Sequence, residues 1–543
     1  MPSVPSTLLY AHILVVLPIL VAYYLSSRHV PSTIADIPVS KVLAQNLRMV
    51  NHSWEHGVLV HALLELQNPE LTVFAGAGYG VHLRTLNPGA VIEPFPQGQL
   101  PQAGGSRYDP WLRVKGLRHA AGVVVTDGSA GPVLEDDDGV EGGGLRALFG
   151  AKRKREKERG GWLFYQEGDK SAADAASLGW ATLLLERAGA ADVNNPVGVG
   201  RNAYGEAADR MVEWLFDESR NARFKLDEWE GLSSANMNPS SEEEAMRTDK
   251  EQKGSEKEEM QRWAISHMYG SKQLWADSVF MVPPFLAAYA VARQDEVWLL
   301  QAVEQIKVYE YVLRKQSSLV EGQLWSHIQR QDPPSIDEVC CRDNLFWLTG
   351  NAWALAGIVR VLSVLERWHI KSHTGDLHLE GVQEKRLKAR NDLLKFAQGI
   401  LDELVKQGKN NETGLLKNYL DGPGHTPEWW AQAVFGDAAG SALVAGSVYR
   451  LTQLGVLNDH DMLRWADELY NAVANQISPE GIVGSVADVS EVPSLRSVPG
   501  TSEGQSMVLL MYAARRDCVK LGICEAHQDE KWWSWLYRIA TIK

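Results

Sequence analysis

The chain has 543 residues, 45% hydrophobic and 22% charged, enough apolar material for one large core or two ordinary ones. A formal net charge of −14 argues against a broad phosphate-binding face, so nucleic acid is not an expected partner. The four cysteines, Cys340, Cys341, Cys518 and Cys524, are too few for a disulfide framework and lack zinc-ligand spacing, so no structural metal is expected.

Residues Leu8–Leu25 form an uncharged apolar run that contains His12 and Pro18. It reads as a signal peptide or membrane anchor (residues 1–30) ahead of one large domain (31–543). No Lys or Arg precedes the run and no A-x-A site follows it, so cleaved and uncleaved forms are equally compatible. Arg28 favours a cytoplasmic C-terminal part, whereas the sequons at Asn51 and Asn411 fit the secretory route. The expectation is a secreted or membrane-anchored protein; nothing in the pattern fixes an oligomeric state. Cys518 and Cys524 can bridge across a short turn in an oxidising compartment.

Two stretches break the globular texture. Residues 127–161 hold an acidic Gly-rich part and a basic run from Lys152, and residues 231–259 are rich in Ser, Glu and Lys. Both are expected to be disordered inserts that carry no chemistry.

Elsewhere the apolar spacing is helical, as in Val303, Ile306, Tyr309 and Leu313. A weak repeat recurs at Ser53, Ala172, Trp275, Thr349, Gly436 and Thr501: a polar or Gly-containing start, small residues, then an apolar run. Second, more amphipathic helices follow several of these starts, near Tyr204–Phe216, Glu296–Arg314, Glu384–Val405 and Asp459–Val473. Six such hairpins predict an all-α (α/α)6 toroid, with the small residues in the crowded inner ring.

In that arrangement the inner helices share one rim, and Asp174, Asp277, Asn351, Asp437 and Glu503 stand at their first turns. Singly, each reads as an ordinary helix cap or first-turn group. Together they make an acidic mouth in which neighbouring carboxyl groups cannot all ionise cheaply, so one can keep its proton as a general acid. That is the equipment of a glycosidase acting on an oligosaccharide. The 19 Trp outnumber Tyr and Phe, and flat indoles suit the apolar faces of sugars as well as large cores. His267, His327, Trp275, Trp325, Trp347 and Trp353 lie in polar-aromatic segments near the same helix ends and are candidates to line a sugar subsite, with Asn351 beside them. No Walker loop, H-E-x-x-H, G-x-S-x-G or strand-linked G-x-G-x-x-G is present, so no nucleotide, metal or other cofactor is implied.

Three segments carry a family resemblance: Trp-Ala-Asp-Ser-Val-Phe-Met-Val-Pro-Pro-Phe-Leu-Ala from Trp275, Leu-Trp-Ser-His-Ile from Leu324, and Trp-Leu-Thr-Gly-Asn-Ala-Trp-Ala from Trp347. In order and spacing they resemble glycoside hydrolase family 105, the unsaturated rhamnogalacturonyl and glucuronyl hydrolases related to family 88. The resemblance implies Asp277 as general acid/base, Asp174 as the second carboxylate, His327 in the substrate pocket and Trp353 as a stacking aromatic. It further implies hydration of a 4,5-unsaturated uronyl residue from pectin or rhamnogalacturonan in place of ordinary glycosidic displacement. The family's Arg-Gly-Asn-Gly-Trp is here Thr349-Gly-Asn-Ala-Trp353, so an arginine expected on the uronate carboxylate is missing, and Arg342 or His327 is a candidate substitute. The alternatives are an inverting glycosidase using Asp174 and Asp277, and a silent carbohydrate-binding scaffold.

Overall fold

The computed structural model describes residues 34–75, 115–124, 163–164, 171–188, 203–217, 221–235, 261–314, 322–331, 343–368, 379–420 and 434–525. Ile37–Cys524 forms one compact unit. Met1–Asp36 with Glu525–Lys543 makes the second, of which only residues 34–36 and Glu525 are described. The apolar run Leu8–Leu25, the stretch 127–161, Cys340, Cys341 and Arg342 lie outside the described residues. So does most of 231–259, although a helix beginning at Leu226 continues to Ala235.

The repeat starts become inner helices. α2 (Ser53–Gln67), a 3-10 turn Asp174–Leu178 leading into α4 (Gly179–Arg187), α7 (Ser278–Arg293), α9 (Leu348–Arg367), α11 (Ala438–Gln453) and α13 (Ser502–Lys520) pack each against the next, and α13 packs back on α2. The ring is closed. Outside it lie α3 (Lys115–Val123), α5 (Ala203–Phe216), α8 (Glu296–Leu313), α10 (Leu379–Gln407) and α12 (His460–Ala474), each on the inner helix that precedes it. The sixth outer place goes to α1 (Val39–Met49), which packs on α13 and so joins the two ends of the toroid. Asn46 of α1 exchanges hydrogen bonds with the hydroxyls of Ser502 and Ser506, and Gln505 donates to the carbonyl of Val42. The predicted all-α (α/α)6 toroid is the architecture observed, and α6 (Leu226–Ala235) lies outside the twelve-helix count among the described residues.

Side-chain size explains the two rings. α9 is long and apolar enough to cross a membrane by composition alone, yet almost all of it is buried, because an inner helix is covered on every side. α12 has apolar positions on one stripe only and exposes the rest. α7 contains Pro283 and Pro284, which cannot donate to the carbonyls one turn back. A Cβ on Gly357 of α9 would lie 2.0 Å from the carbonyl oxygen of Val279, the group that Pro283 leaves without its helical donor. Glycine at 357 therefore lets α9 close onto the one turn of α7 where the backbone is freed.

Short ribbons stitch the rim at the helix N-termini. β1 (Arg223–Lys225) pairs with β2 (Trp263–Ile265), β3 (Gln273–Trp275) with β4 (Ile328–Arg330), and β5 (Val486–Ala487) with β6 (Ser497–Val498), all antiparallel. Isolated bridges extend the chain of pairings, from Ser171–Met268 through Ile328–Asp343 and Trp347–Tyr419 to Lys417–Gly436. These contacts, one to three residue pairs long, fix the loops that carry the acidic and aromatic candidates.

At the opposite end the helices are tied by buried charge. Glu65 of α2 accepts from Arg360 of α9 (2.7 Å) and from Arg450 of α11 (2.8 Å), and Arg450 also reaches Asp517 of α13 (3.0 Å). Cys518 and Cys524 are joined in a disulfide at the end of α13.

Candidate active site

The register of β3 against β4 sets Trp275 opposite Ile328, so the start of α7 lies alongside His327. The N–H of Ala276 donates to the carbonyl of His327 (2.9 Å), and the N–H of His327 to that of Leu345 (2.9 Å). Three segments distant in sequence are thus held edge to edge.

Asp277 occupies the cap position of α7 but its side chain makes no capping hydrogen bond. Asp437 differs: its carboxylate accepts from the N–H groups of Ala439 and Gly440 and from the Thr349 hydroxyl (2.6 Å). Of these two rim acids, the structure spends Asp437 on holding α11 and leaves Asp277 available. Oδ2 of Asp277 is buried and accepts no hydrogen bond among the described residues. It faces Nε2 of His327 at 3.4 Å, and that nitrogen likewise lacks a hydrogen-bond partner. Buried polar atoms left open in pairs like this are rare in a settled interior and common where a ligand or a proton is handled.

On its other side His327 is fully anchored. Nδ1 bonds Oδ2 of Asp343 (2.9 Å), which also accepts from the hydroxyl of Tyr419 (2.6 Å), while Oδ1 of Asp343 accepts from the N–H of Leu345 (3.1 Å). Burial works against charge on His327, but Asp277 and Asp343 overcome it and push the imidazole up to about 9. Burial also pushes Asp277 up, and there His327 and His267 win, holding the carboxyl below its usual range. At neutral pH the pair is therefore an imidazolium facing a carboxylate.

Asp174 reaches the site through His267. Its Oδ1 lies 3.8 Å from Nε2 of His267, whose Nδ1 pairs with the Ser278 hydroxyl (2.7 Å), one residue beyond Asp277. Burial drives His267 down to about 4, so this ring is neutral and serves as a spacer between the two acids. Trp275 stacks on His267 with ring centres 4.5 Å apart and presents its edge to His327 at 5.6 Å. Part of its surface stays exposed, which suits an aromatic that meets a sugar.

Four predicted subsite residues are placed in the interior, among them Trp347, 3% exposed and donating its indole N–H to Asn418 (2.9 Å). Trp353 is 1% exposed, rests on Phe280 (4.6 Å) and donates its indole N–H to Glu503 (3.0 Å). Trp325 is equally covered, and Asn351 is spent bridging the backbone of Trp325 and Trp347. A sugar cannot stack on these indoles as they stand; small residues in the inner ring draw long side chains inward. Burial, with the charges of Asp277 and Asp437, pushes Glu503 well above its ordinary value, which favours its protonated form under Trp353. Thr349, at the position of the family arginine, is buried and committed to Asp437.

Asp343 and Tyr419 escaped the sequence reading. Neither sits at a helix start or in a repeated position, and only the pairing of Ile328 with Asp343 and of Trp347 with Tyr419 brings them behind His327. Tyr419 belongs to an apolar cluster with Trp347 and Ala487, flanked by Leu345, Phe435 and Leu495, which keeps the Asp343 contact dry.

Residues 199–497, more than half of the chain, match the model of Glycosyl Hydrolase Family 88. The chain belongs to that family. As a family 88 member it is a glycoside hydrolase. Solved structures to which the chain is similar include a family 105 glycoside hydrolase from C. acetobutylicum ATCC 824, at 13% identity over 89% of this chain and 100% of that one, TM-score 0.48. A possible family 105 member from Salmonella enterica shares 18% identity over 69% of this chain and 78% of that one, TM-score 0.40. An unsaturated glucuronyl hydrolase from Bacillus sp. GL1 shares 14% over 65% and 77%, TM-score 0.36. No curated protein matches the chain.

Proposed function

We propose that the protein hydrates the 4,5 double bond of unsaturated uronyl oligosaccharides, of the kind polysaccharide lyases release from rhamnogalacturonan. The observation that carries the reading is the open Oδ2 of Asp277 facing an equally open Nε2 of His327 at 3.4 Å, a single carboxyl group with a proton beside it. Ordinary glycosidic displacement needs two acids in separate roles, whereas vinyl-ether hydration needs one that gives a proton and then takes one back.

In this reading Asp277 protonates C4, charge develops at C5 and the ring oxygen, and the regenerated carboxylate removes a proton from the water that adds at C5. The hemiketal opens and the neighbouring sugar is released. Asp174 and His267 position the substrate and tune Asp277 through the shared imidazole, Trp275 supplies the apolar platform, and His327 stands 3.4 Å from the Asp277 carboxylate.

A secreted or membrane-anchored location belongs to the same proposal. It is supported by the apolar run Leu8–Leu25 and by the Cys518–Cys524 disulfide, a bond that persists in oxidising compartments. The test is to follow loss of the double-bond absorbance of unsaturated rhamnogalacturonan disaccharides with the native chain and its Asp277→Asn form. Loss with the first and a rate lower by about 10³-fold with the second is expected, within the range for a removed general acid. No loss with the folded native chain overturns the proposal.

A further inference from the structure

We infer that Asp343, braced by Tyr419, is a positioning residue that holds His327 as an imidazolium aimed at Asp277, so that His327 stores the proton Asp277 delivers to the substrate. The inference rests on the hydration reading and adds to it the source of the proton.

The geometry is a line of three groups. Asp343 has every oxygen committed: Oδ1 to the backbone of Leu345, Oδ2 to Nδ1 of His327 and to the Tyr419 hydroxyl. Its side chain is 0% exposed, so it can neither turn away nor exchange its partners for water. The far nitrogen, Nε2, lies 3.4 Å from Oδ2 of Asp277 and makes no hydrogen bond among the described residues. A ring fixed at one nitrogen by a carboxylate has its orientation and its proton fixed at the other.

The groups that act on His327 are Asp277 at the start of α7, Asp343 with Tyr419 behind it, and His267 across the Trp275 ring. Burial and the charges of Asp277 and Asp437 push Glu503 up, toward its protonated form. With Asp277 ionised in the free enzyme, the proton needed at C4 must come from elsewhere, and the nearest is on Nε2. When an anionic substrate closes the site, that proton passes from Nε2 to Oδ2 of Asp277 and then to C4, leaving His327 neutral and Asp277 anionic. The proton taken from the attacking water returns to Asp277 and then to His327. One proton enters the product at C4, one hydroxyl enters at C5, and the enzyme ends as it began.

The test uses ¹⁵N NMR titration of the full chain with labelled histidine, the His327 signal assigned by its loss in His327→Gln. The native protein is expected to titrate near 9 at this residue, and Asp343→Asn about one pH unit or more lower. In turnover, Asp343→Asn is expected to lower kcat on the order of 10²-fold with KM little changed, and to move the alkaline limb of the rate profile to lower pH. Tyr419→Phe, a milder change, is expected to lower kcat severalfold at constant KM. A native His327 that titrates at or below 6.5, or an Asp343→Asn protein with the native titration and profile, overturns the inference. The NMR arm needs no activity, so it decides the positioning role even if unsaturated disaccharides prove not to be substrates.

Discussion

Replacing Glu65 by glutamine removes one charge from the knot that ties three inner helices while keeping the side chain's shape. Arg450 keeps Asp517 at 3.0 Å, so its charge stays compensated. Among the described residues Arg360 has no such second acid: beyond Glu65 its contacts there are a 3.4 Å bond to the carbonyl of Ala356 and the faces of Phe280 and Phe74, at 4.4 and 5.5 Å. Burial already pushes its guanidinium down to about 10, with Glu65 working against the fall. Stranding one buried charge in this way costs about 3–5 kcal/mol, and the two ring faces return about 1 kcal/mol. The expected loss is therefore about 3 kcal/mol, read as a lower urea midpoint at unchanged slope. Glu65→Gln combined with Arg360→Met removes the stranded charge and is expected to recover most of that loss. If the single variant costs under about 1 kcal/mol, or the double variant recovers nothing, the knot does not hold the ring as described.

Gly357→Ala puts a methyl group 2.0 Å from the Val279 carbonyl oxygen and is expected to cost about 1–3 kcal/mol in thermal or chemical unfolding, as overpacking does. Stability should also vary with pH in a stated direction. His327, raised to about 9, adds stability that is complete below 6.5 and lost as pH rises toward 9. His267, depressed to about 4, is a base that the unfolded chain protonates first, so stability falls as pH drops from 6.5 toward 4, by up to about 3 kcal/mol from this ring. His61, buried and lowered to about 3, acts in the same sense, so unfolding followed by fluorescence should show a maximum close to 6.5. Trp275→Ala is expected to raise KM several-fold and Trp353→Phe to leave KM unchanged while lowering stability, because only Trp275 keeps an exposed face.

The toroid was legible because its signal is local. Small residues at Gly57, Gly179, Gly357 and Gly440 mark inner helices, and each outer helix shows its stripe within its own sequence. Asp277 was legible through its position ahead of an apolar helix, and Asp437 through the same pattern. Nothing in the sequence separated the open carboxylate from the capping one, since that depends on whether backbone N–H groups turn toward the side chain. The aromatic candidates were harder: Trp275, Trp325 and Trp353 share one composition of neighbours, yet only the first stays partly exposed. Asp343 and Tyr419 depend on single-residue pairings, Ile328 with Asp343 and Trp347 with Tyr419, and on a hydrogen bond between side chains 76 positions apart, below any periodicity that a sequence can display.

The central claim, that Asp277 protonates a carbon rather than a leaving oxygen, is tested most directly by running the reaction in D₂O and examining the product by NMR. Hydration predicts one deuterium on C4 of the former unsaturated residue and loss of the double bond in step with sugar release. Release of a uronyl residue whose double bond is intact and whose C4 carries no deuterium would contradict the account and assign Asp277 to direct glycosidic cleavage.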